Sequence, residues 1–326
     1  MVSIATEIER APAPTLREEH PINSVDFQAL VFLLAFSEIG IWAAVRAGWL
    51  WLTVPLVLVA AHLMHGLLIG FHEASHGLLR KSRRLNEFDG VLIGIFSFLP
   101  FNLYRVVHQR HHMYLATEKD TELWPFVLPN VPRWGRRLSA FLELTIGLFY
   151  SPIIFFRVFL QPDSPVRSQK VRRRIWAELA LSFLFWTLIL GSVAFFGVWK
   201  YFLWIYLAPA MIAANLQTWR KYVEHLGLTG TTVNSSTRSI VPKSWLGRVF
   251  AYTLLHEPYH GVHHQNAGLP HGVLPQFTSI LEPKEPGELA PFISYRQALP
   301  DLFRSLGNPR VGAQWLESAR NGQPVS

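Results

Sequence analysis

Apolar and polar positions alternate along the chain on the scale of whole segments, not single turns. Ala47 to Phe71, Leu179 to Trp199 and Tyr201 to Trp219 contain no Asp, Glu, Lys or Arg, and Phe27 to Val45 contains only Glu38. Each run approaches the roughly 20 apolar residues that a helix needs to cross a bilayer. Four such runs are excessive for a soluble core. The pattern predicts transmembrane helices over about 27–46, 49–71, 176–199 and 201–219, arranged as two hairpins with very short outer turns. Two shorter apolar stretches lie between the hairpins: Gly90 to Tyr104, which holds Pro100, and Leu138 to Phe156, which holds Glu143 and Pro152. Both are predicted as interfacial helices that lie at the membrane surface or dip into it. The expected fold is an all-α integral membrane protein: four transmembrane helices as two hairpins, interfacial helices, and a histidine-rich cytoplasmic cap. The divisions are a polar N-terminal tail at 1–24, a membrane domain at 25–285 and a C-terminal cytoplasmic tail at 286–326.

Charge orients this plan. Of 30 basic residues, Arg46 and Lys200 sit at the two outer turns, and the other 28 lie in the N-terminal tail, the interval 72–175 or the segment after 219. The positive-inside rule puts those three regions, and both termini, on the cytoplasmic side of a bacterial inner membrane or the endoplasmic reticulum. The net charge of +8 then has a bland source in orientation and contact with anionic head groups, and no nucleic acid partner is expected. Met1 to Glu9 carries charges and no apolar block, so no cleavable signal is expected. The absence of cysteine excludes disulfides, thiolate metal sites and iron–sulfur clusters.

The chemistry is carried by histidine. The chain has 14, and eight fall in three clusters: His72 and His76 in GFHEASHG, His108, His111 and His112 in HQRHH, and His260, His263 and His264 in HGVHH. Spacings of three and four put each cluster on one helix face. Neutral imidazole is a common ligand for transition metals, and eight ligands exceed what one tetrahedral zinc uses. They suit two ions of higher coordination. A ligand imidazole usually donates its other N–H to a carboxylate, carbonyl or water, which makes Glu73, Asp120, Glu224 and Glu257 candidate supports. His256 lies four residues before His260 and is expected on the same helical face, in a supporting role. His62 and His65 fall inside the second span, and His20 and His271 are expected at the surface.

Taken together, HEASHG, HQRHHMYLATEKD and YHGVHHQNAGLP resemble the three histidine boxes of the membrane fatty acid desaturase and hydroxylase family. The likeness covers roughly residues 27–280. It implies a cytoplasmic di-iron centre held by eight or nine histidines, with dioxygen as co-substrate. The family has a further histidine after the fourth span, a place filled here by His225 in RKYVEHLG. Several members carry an asparagine four residues earlier. Lys221 stands there in this chain, so a water-bridged asparagine ligand is not supported. The implied activity is oxygen-dependent desaturation of a fatty acyl lipid, with no catalytic side chain beyond the metal ligands. The electron donor is expected to be a separate protein, ferredoxin or cytochrome b5 with a reductase. A hydroxylase or ketolase acting on a lipid or terpenoid remains open, because those reactions also begin with hydrogen abstraction. A metal transporter or sensor fits less well, since its ligands belong near the bilayer midplane.

Overall fold

The computed structural model describes residues 20–316; residues 1–19 of the expected N-terminal tail and the last ten of the C-terminal tail lie outside the described residues. The elements are helical: α1 (Val25–Ala47), α2 (Leu50–Ser75), α3 (Arg83–Phe96), α4 (Phe101–Met113), α5 (Arg133–Leu160), α6 (Gln169–Phe196) and α7 (Trp199–Phe202). A π-helical segment, Leu203–Leu207, leads into α8 (Ala208–His225), followed by α9 (Val233–Ser236), α10 (Trp245–Thr253), α11 (His260–Gln265), a 3-10 helix (His271–Leu281) and α12 (Tyr295–Leu306). By length and composition α1, α2, α5 and α6 could each cross a membrane. Three of these correspond to expected spans. The fourth expected span, 201–219, is a helical run interrupted by the π turn and continued to His225.

The helix expected at the surface over 138–156 is longer, and its regular geometry breaks at Ile146 (φ −126°, ψ 37°). Each part is then about 20 Å long, shorter than a hydrocarbon core of roughly 30 Å. The Gly147 N–H donates to Asn215 Oδ1 at 3.2 Å, so a donor beside the break has a side-chain partner.

Two compact units follow from internal packing, one of 24–105 with 146–217, the other built from 106–145 and 218–316 plus the start of the described chain. In the first, α1 and α2 form a hairpin turned at Gly48. Its φ of +74° is left-handed, which glycine adopts without a Cβ penalty, and its N–H returns to the Ala44 and Val45 carbonyls. Lys200 Nζ donates to the Val45 carbonyl at 3.0 Å, so a basic residue meets the negative end of the α1 dipole. Gly70 lets α2 approach α1 closely, because a Cβ there would lie 2.5 Å from the Phe27 ring. Trp186 Nε1 and the Tyr206 hydroxyl donate to the Ile95 and Phe96 carbonyls at the end of α3, at 2.9 and 2.5 Å. Helix α6 buries only Ile175, Trp186 and Val193 and exposes Phe183, Leu184, Leu188 and Phe195. An apolar surface that wide suits lipid, not water.

The second unit has a core of Leu115, Phe126, Tyr222, Leu226, Leu302 and Val311. The stretch after 286, expected to be a tail, is packed as far as Trp315: Ala298, Leu302 and Val311 are fully buried and Trp315 is 2% exposed. Apolar residues spaced along α12 explain this, because they form one face of a short amphipathic helix. Arg136 fixes the segment. It is fully buried, lies 4.3 Å from the Trp315 ring, and donates to the carbonyls of Val131 and Pro309 and to Asn308 Oδ1. Arg136→Met should leave those acceptors without a donor and cost about 2–3 kcal/mol. Thermal unfolding of the detergent-purified variant, with limited proteolysis to report release of the C-terminal stretch, checks this.

Candidate metal centre

The second box sits on the last turns of α4. Spacings of three and four turn His108, His111 and His112 inward together, all at most 5% exposed. The third box is α11 itself, and His260, His263 and His264 are equally buried. His225 ends α8 and is 2% exposed. The ring nitrogens of His111, His225 and His264 lie within 4.8 Å of one another, as do one nitrogen each from His108, His112 and His263. Seven of the nine histidines singled out in the sequence therefore converge within this unit. His72 and His76 belong to the first unit. Helix α2 ends at Ser75, later than expected, so His72 lies within it and His76 caps it, with ring centroids 5.1 Å apart.

Hydrogen bonds decide which nitrogen faces inward. His111 Nδ1 donates to Asp120 Oδ2 at 2.8 Å, and His108 Nδ1 donates to Glu122 Oε2 at 2.9 Å. His260 Nδ1 donates to Glu257 Oε1 at 3.1 Å, and His225 Nδ1 to the Ser236 carbonyl at 3.2 Å. With Nδ1 carrying the proton, Nε2 presents a lone pair. The His225 and His260 Nε2 atoms face each other at 2.8 Å. His112 Nε2 lies 3.1 Å from Nε2 of both His108 and His263. Facing lone pairs repel unless a cation lies between them, and imidazole ligands at about 2 Å from one ion bring their nitrogens this close. His264 is 2% exposed and neither of its ring nitrogens has a hydrogen-bond partner. An imidazole buried in that state costs free energy unless something binds it. The donor set thus fits first-row metal ions.

Burial keeps these rings neutral. It holds His225, His260 and His264 well below the usual imidazole range, aided at His260 by the Arg220 cation, and pushes His263 down to about 3. Burial also acts to lower His111, but the Asp120 carboxylate overrides it and the net shift is upward. Arg220, buried under the third box, donates from Nη1 to Glu224 Oε2 at 2.5 Å and to Glu257 Oε1 at 2.7 Å. Glu257 and His260 have the Glu-x-x-His spacing of carboxylate-bridged bundles. Here Oε1 of Glu257 receives the His260 and Arg220 protons, so it orients the ring.

Of the expected supports, Asp120 and Glu257 each accept a proton from a box histidine. Glu224 approaches His260 Nδ1 at 3.6 Å, and Glu73 is buried on α2 in the first unit. His256 is not on the third-box helix: α10 stops at Thr253, and Leu255 and His256 take left-handed φ values of +46° and +56° before α11 begins. It stacks on His271, centroids 6.1 Å apart. His271, expected at the surface, is fully buried. His20 is half-buried against Phe277, and His65 is buried within α2. Glu122, Arg220 and the Ser236 carbonyl were not legible beforehand; only the DTE run hinted at Glu122. Lys221 is engaged with buried Glu143, which also accepts from the Tyr222 hydroxyl at 2.6 Å.

Comparison with known proteins gives these features a context. A family model described as fatty acid desaturase matches residues 49–296. A protein named fatty acid desaturase in Bacillus subtilis (strain 168) is 24% identical over 185 residues, 53% of this chain and 50% of that protein. A Delta(12) acyl-lipid conjugase of Impatiens balsamina is 22% identical over 248 residues, 67% of this chain and 63% of the relative. An sn-1 acyl-lipid omega-3 desaturase (ferredoxin) of Synechocystis is 27% identical over 121 residues, 36% and 32% of the two chains. The chain thus spans half to just under two thirds of the first two relatives.

Asp120 also accepts the N–H groups of Ala116, Glu122 and Leu123, so it fixes both the His111 ring and the loop after α4. Asp120→Asn retains the shape and loses the charge, and should weaken metal retention by about 10- to 100-fold. Metal content after dialysis against graded chelator checks this.

Proposed function

The chain belongs to the fatty acid desaturase family, and on that premise we propose that it is a membrane-bound, oxygen-dependent desaturase of fatty acyl lipids. The observation that carries this reading is the facing pair of Nε2 atoms on His225 and His260, each with its Nδ1 proton already committed. His108, His111, His112, His225, His260, His263 and His264 would hold two iron ions, and the resemblance of the histidine boxes adds His72 and His76 to the proposed ligands. Such a centre, supplied with dioxygen and electrons, provides the oxidising power to remove hydrogen from an unactivated C–H bond.

The chain's own residues do the rest. Asp120, Glu122, Glu257 and the Ser236 carbonyl hold the Nδ1 protons and keep the imidazoles in one tautomer and orientation. Arg220 fixes Glu257 and Glu224, so His260 of the third box is oriented from one buried cation. Burial of all seven rings excludes water from the centre, which strengthens each electrostatic contact there. A lipid substrate reaches such a site from the bilayer with little desolvation. Electrons are proposed to come from a separate ferredoxin or cytochrome b5 system, a relative being named for ferredoxin. A cytoplasmic side for the boxes and both termini is supported by the distribution of basic residues.

His111→Ala should abolish double-bond formation and lower iron content while the chain remains membrane-inserted. The check is lipid profiling of cells expressing either form, with metal analysis of the purified proteins. Wild-type iron near two per chain together with new unsaturated acyl chains is the expected result. New hydroxylated chains instead would select the hydroxylase outcome, and zinc alone would overturn the iron assignment.

A further inference from the structure

The first unit contains a cavity of about 360 Å³. On α1 its wall is Phe27, Val31, Leu34 and Glu38, spaced along one helix face. On α2 it is Met64 and Leu68, and the same face reaches His72 one turn later. Ile93, Leu148 and Ala213 complete an apolar lining. From Phe27 to Glu38 the wall runs about 16 Å along α1. Its ends differ. Near Phe27 lies Arg80, whose guanidinium is 4.9 Å from the Phe27 ring and whose Nε donates to Asp89 Oδ2 at 2.5 Å. Glu38 marks the other end, about 20 Å from the start of α1 and hence deep in a hydrocarbon layer of roughly 30 Å.

The other polar groups lining the cavity are satisfied. Arg80 and Asp89 pair with each other, Tyr206 donates to the Phe96 carbonyl, and Ser97 donates to the Ile93 carbonyl at 2.9 Å. Glu38 is the exception. Among the described residues it has no hydrogen bond or ion pair, although it is the sole ionisable residue of the run from Phe27 to Val45. An ionisable group at that depth costs free energy unless it meets a partner, and where it persists it marks a ligand path. Its side chain is too short to reach the interface. Ionised, a carboxyl only accepts hydrogen bonds; protonated, it also donates one, and a hydroxyl, which both donates and accepts, satisfies either form.

We propose that this cavity binds a lipid whose chain carries a hydroxyl group, with Glu38 hydrogen-bonded to that hydroxyl and the Leu34, Met64 and Leu68 walls taking the chain on either side. The assignment of that lipid as substrate rests on the desaturase reading; the binding itself does not. Glu38 is then a specificity residue, selecting an oxygenated chain over a plain one. Discrimination follows from the usual asymmetry: a site built to bond a hydroxyl leaves its own polar group unpaired when the hydroxyl is missing.

The test uses the full chain in detergent micelles and two phosphatidylcholines, one with a mid-chain hydroxyl and one with the unsubstituted chain. Their affinities are compared by native mass spectrometry for wild type, Glu38→Gln and Glu38→Leu. Wild type should prefer the hydroxylated lipid by about tenfold. Glu38→Gln, whose amide oxygen still accepts, should keep part of that ratio. Glu38→Leu should bring it to about one without losing the plain lipid. Equal affinities in wild type, or a preference that survives Glu38→Leu, overturns the proposal. Loss of the plain lipid as well in Glu38→Leu does the same, because the cavity would then be a folding feature. Iron content and oxidation products, measured on the same preparations, report on the desaturase reading separately.

Discussion

Two lone pairs at 2.8 Å, on Nε2 of His225 and His260, set the terms for the rest of the second unit. Such an arrangement is unfavourable in a protein interior unless a cation is shared between the rings. It persists because both Nδ1 protons are claimed from outside, by the Ser236 carbonyl and by Glu257. The same logic extends to His108 and His111 through Glu122 and Asp120. Neutral rings, inward nitrogens and outward protons form a single constraint, and it gives this region a donor set that fits metal ions.

Holding that constraint requires burying charge. Arg220 lies between Glu224 and Glu257 at 5% side-chain exposure or less, and an ion pair so far from water stabilises little by itself. Its contribution is orientation. Arg238 plays a comparable part beyond α8, donating to the Val223 and Leu226 carbonyls at 3.0 and 2.8 Å. The last turn of α8, which carries His225, is thereby fixed by satisfied carbonyls. Further out, Glu143 with Lys221 and Tyr222 joins α5 to α8. The C-terminal residues up to Trp315 close the unit, with Trp315 Nε1 donating to the Phe126 carbonyl at 2.8 Å.

The first unit works under the opposite solvent rule. Its outward faces are apolar, and the Ile95, Phe96 and Val45 carbonyls at its helix ends accept from Trp186, Tyr206 and Lys200, as a helix in hydrocarbon requires. Against that background the unpartnered carboxyl of Glu38 is a departure with chemical meaning. The α2 face that borders the cavity also carries His72, so a lipid path and a box histidine share one helix.

The sequence by itself determined the membrane character, the approximate helices α1, α2 and α6, and the histidines. These depend on local quantities: length of an apolar run, and spacings of three and four on one helix. The tertiary structure decided everything that depends on contacts between distant segments. Glu122 and the Ser236 carbonyl became supports because loops brought them to His108 and His225. His256 left the third-box helix because two successive left-handed residues end α10, and His271 became buried because the 3-10 helix packs inward. The C-terminal stretch, polar enough to read as a tail, joined the core through Arg136. The break at Ile146 and the π turn before α8 are likewise absent from the pattern. Hydrophobic periodicity records which face is buried, but it holds no record of which distant donor a backbone or imidazole nitrogen will meet.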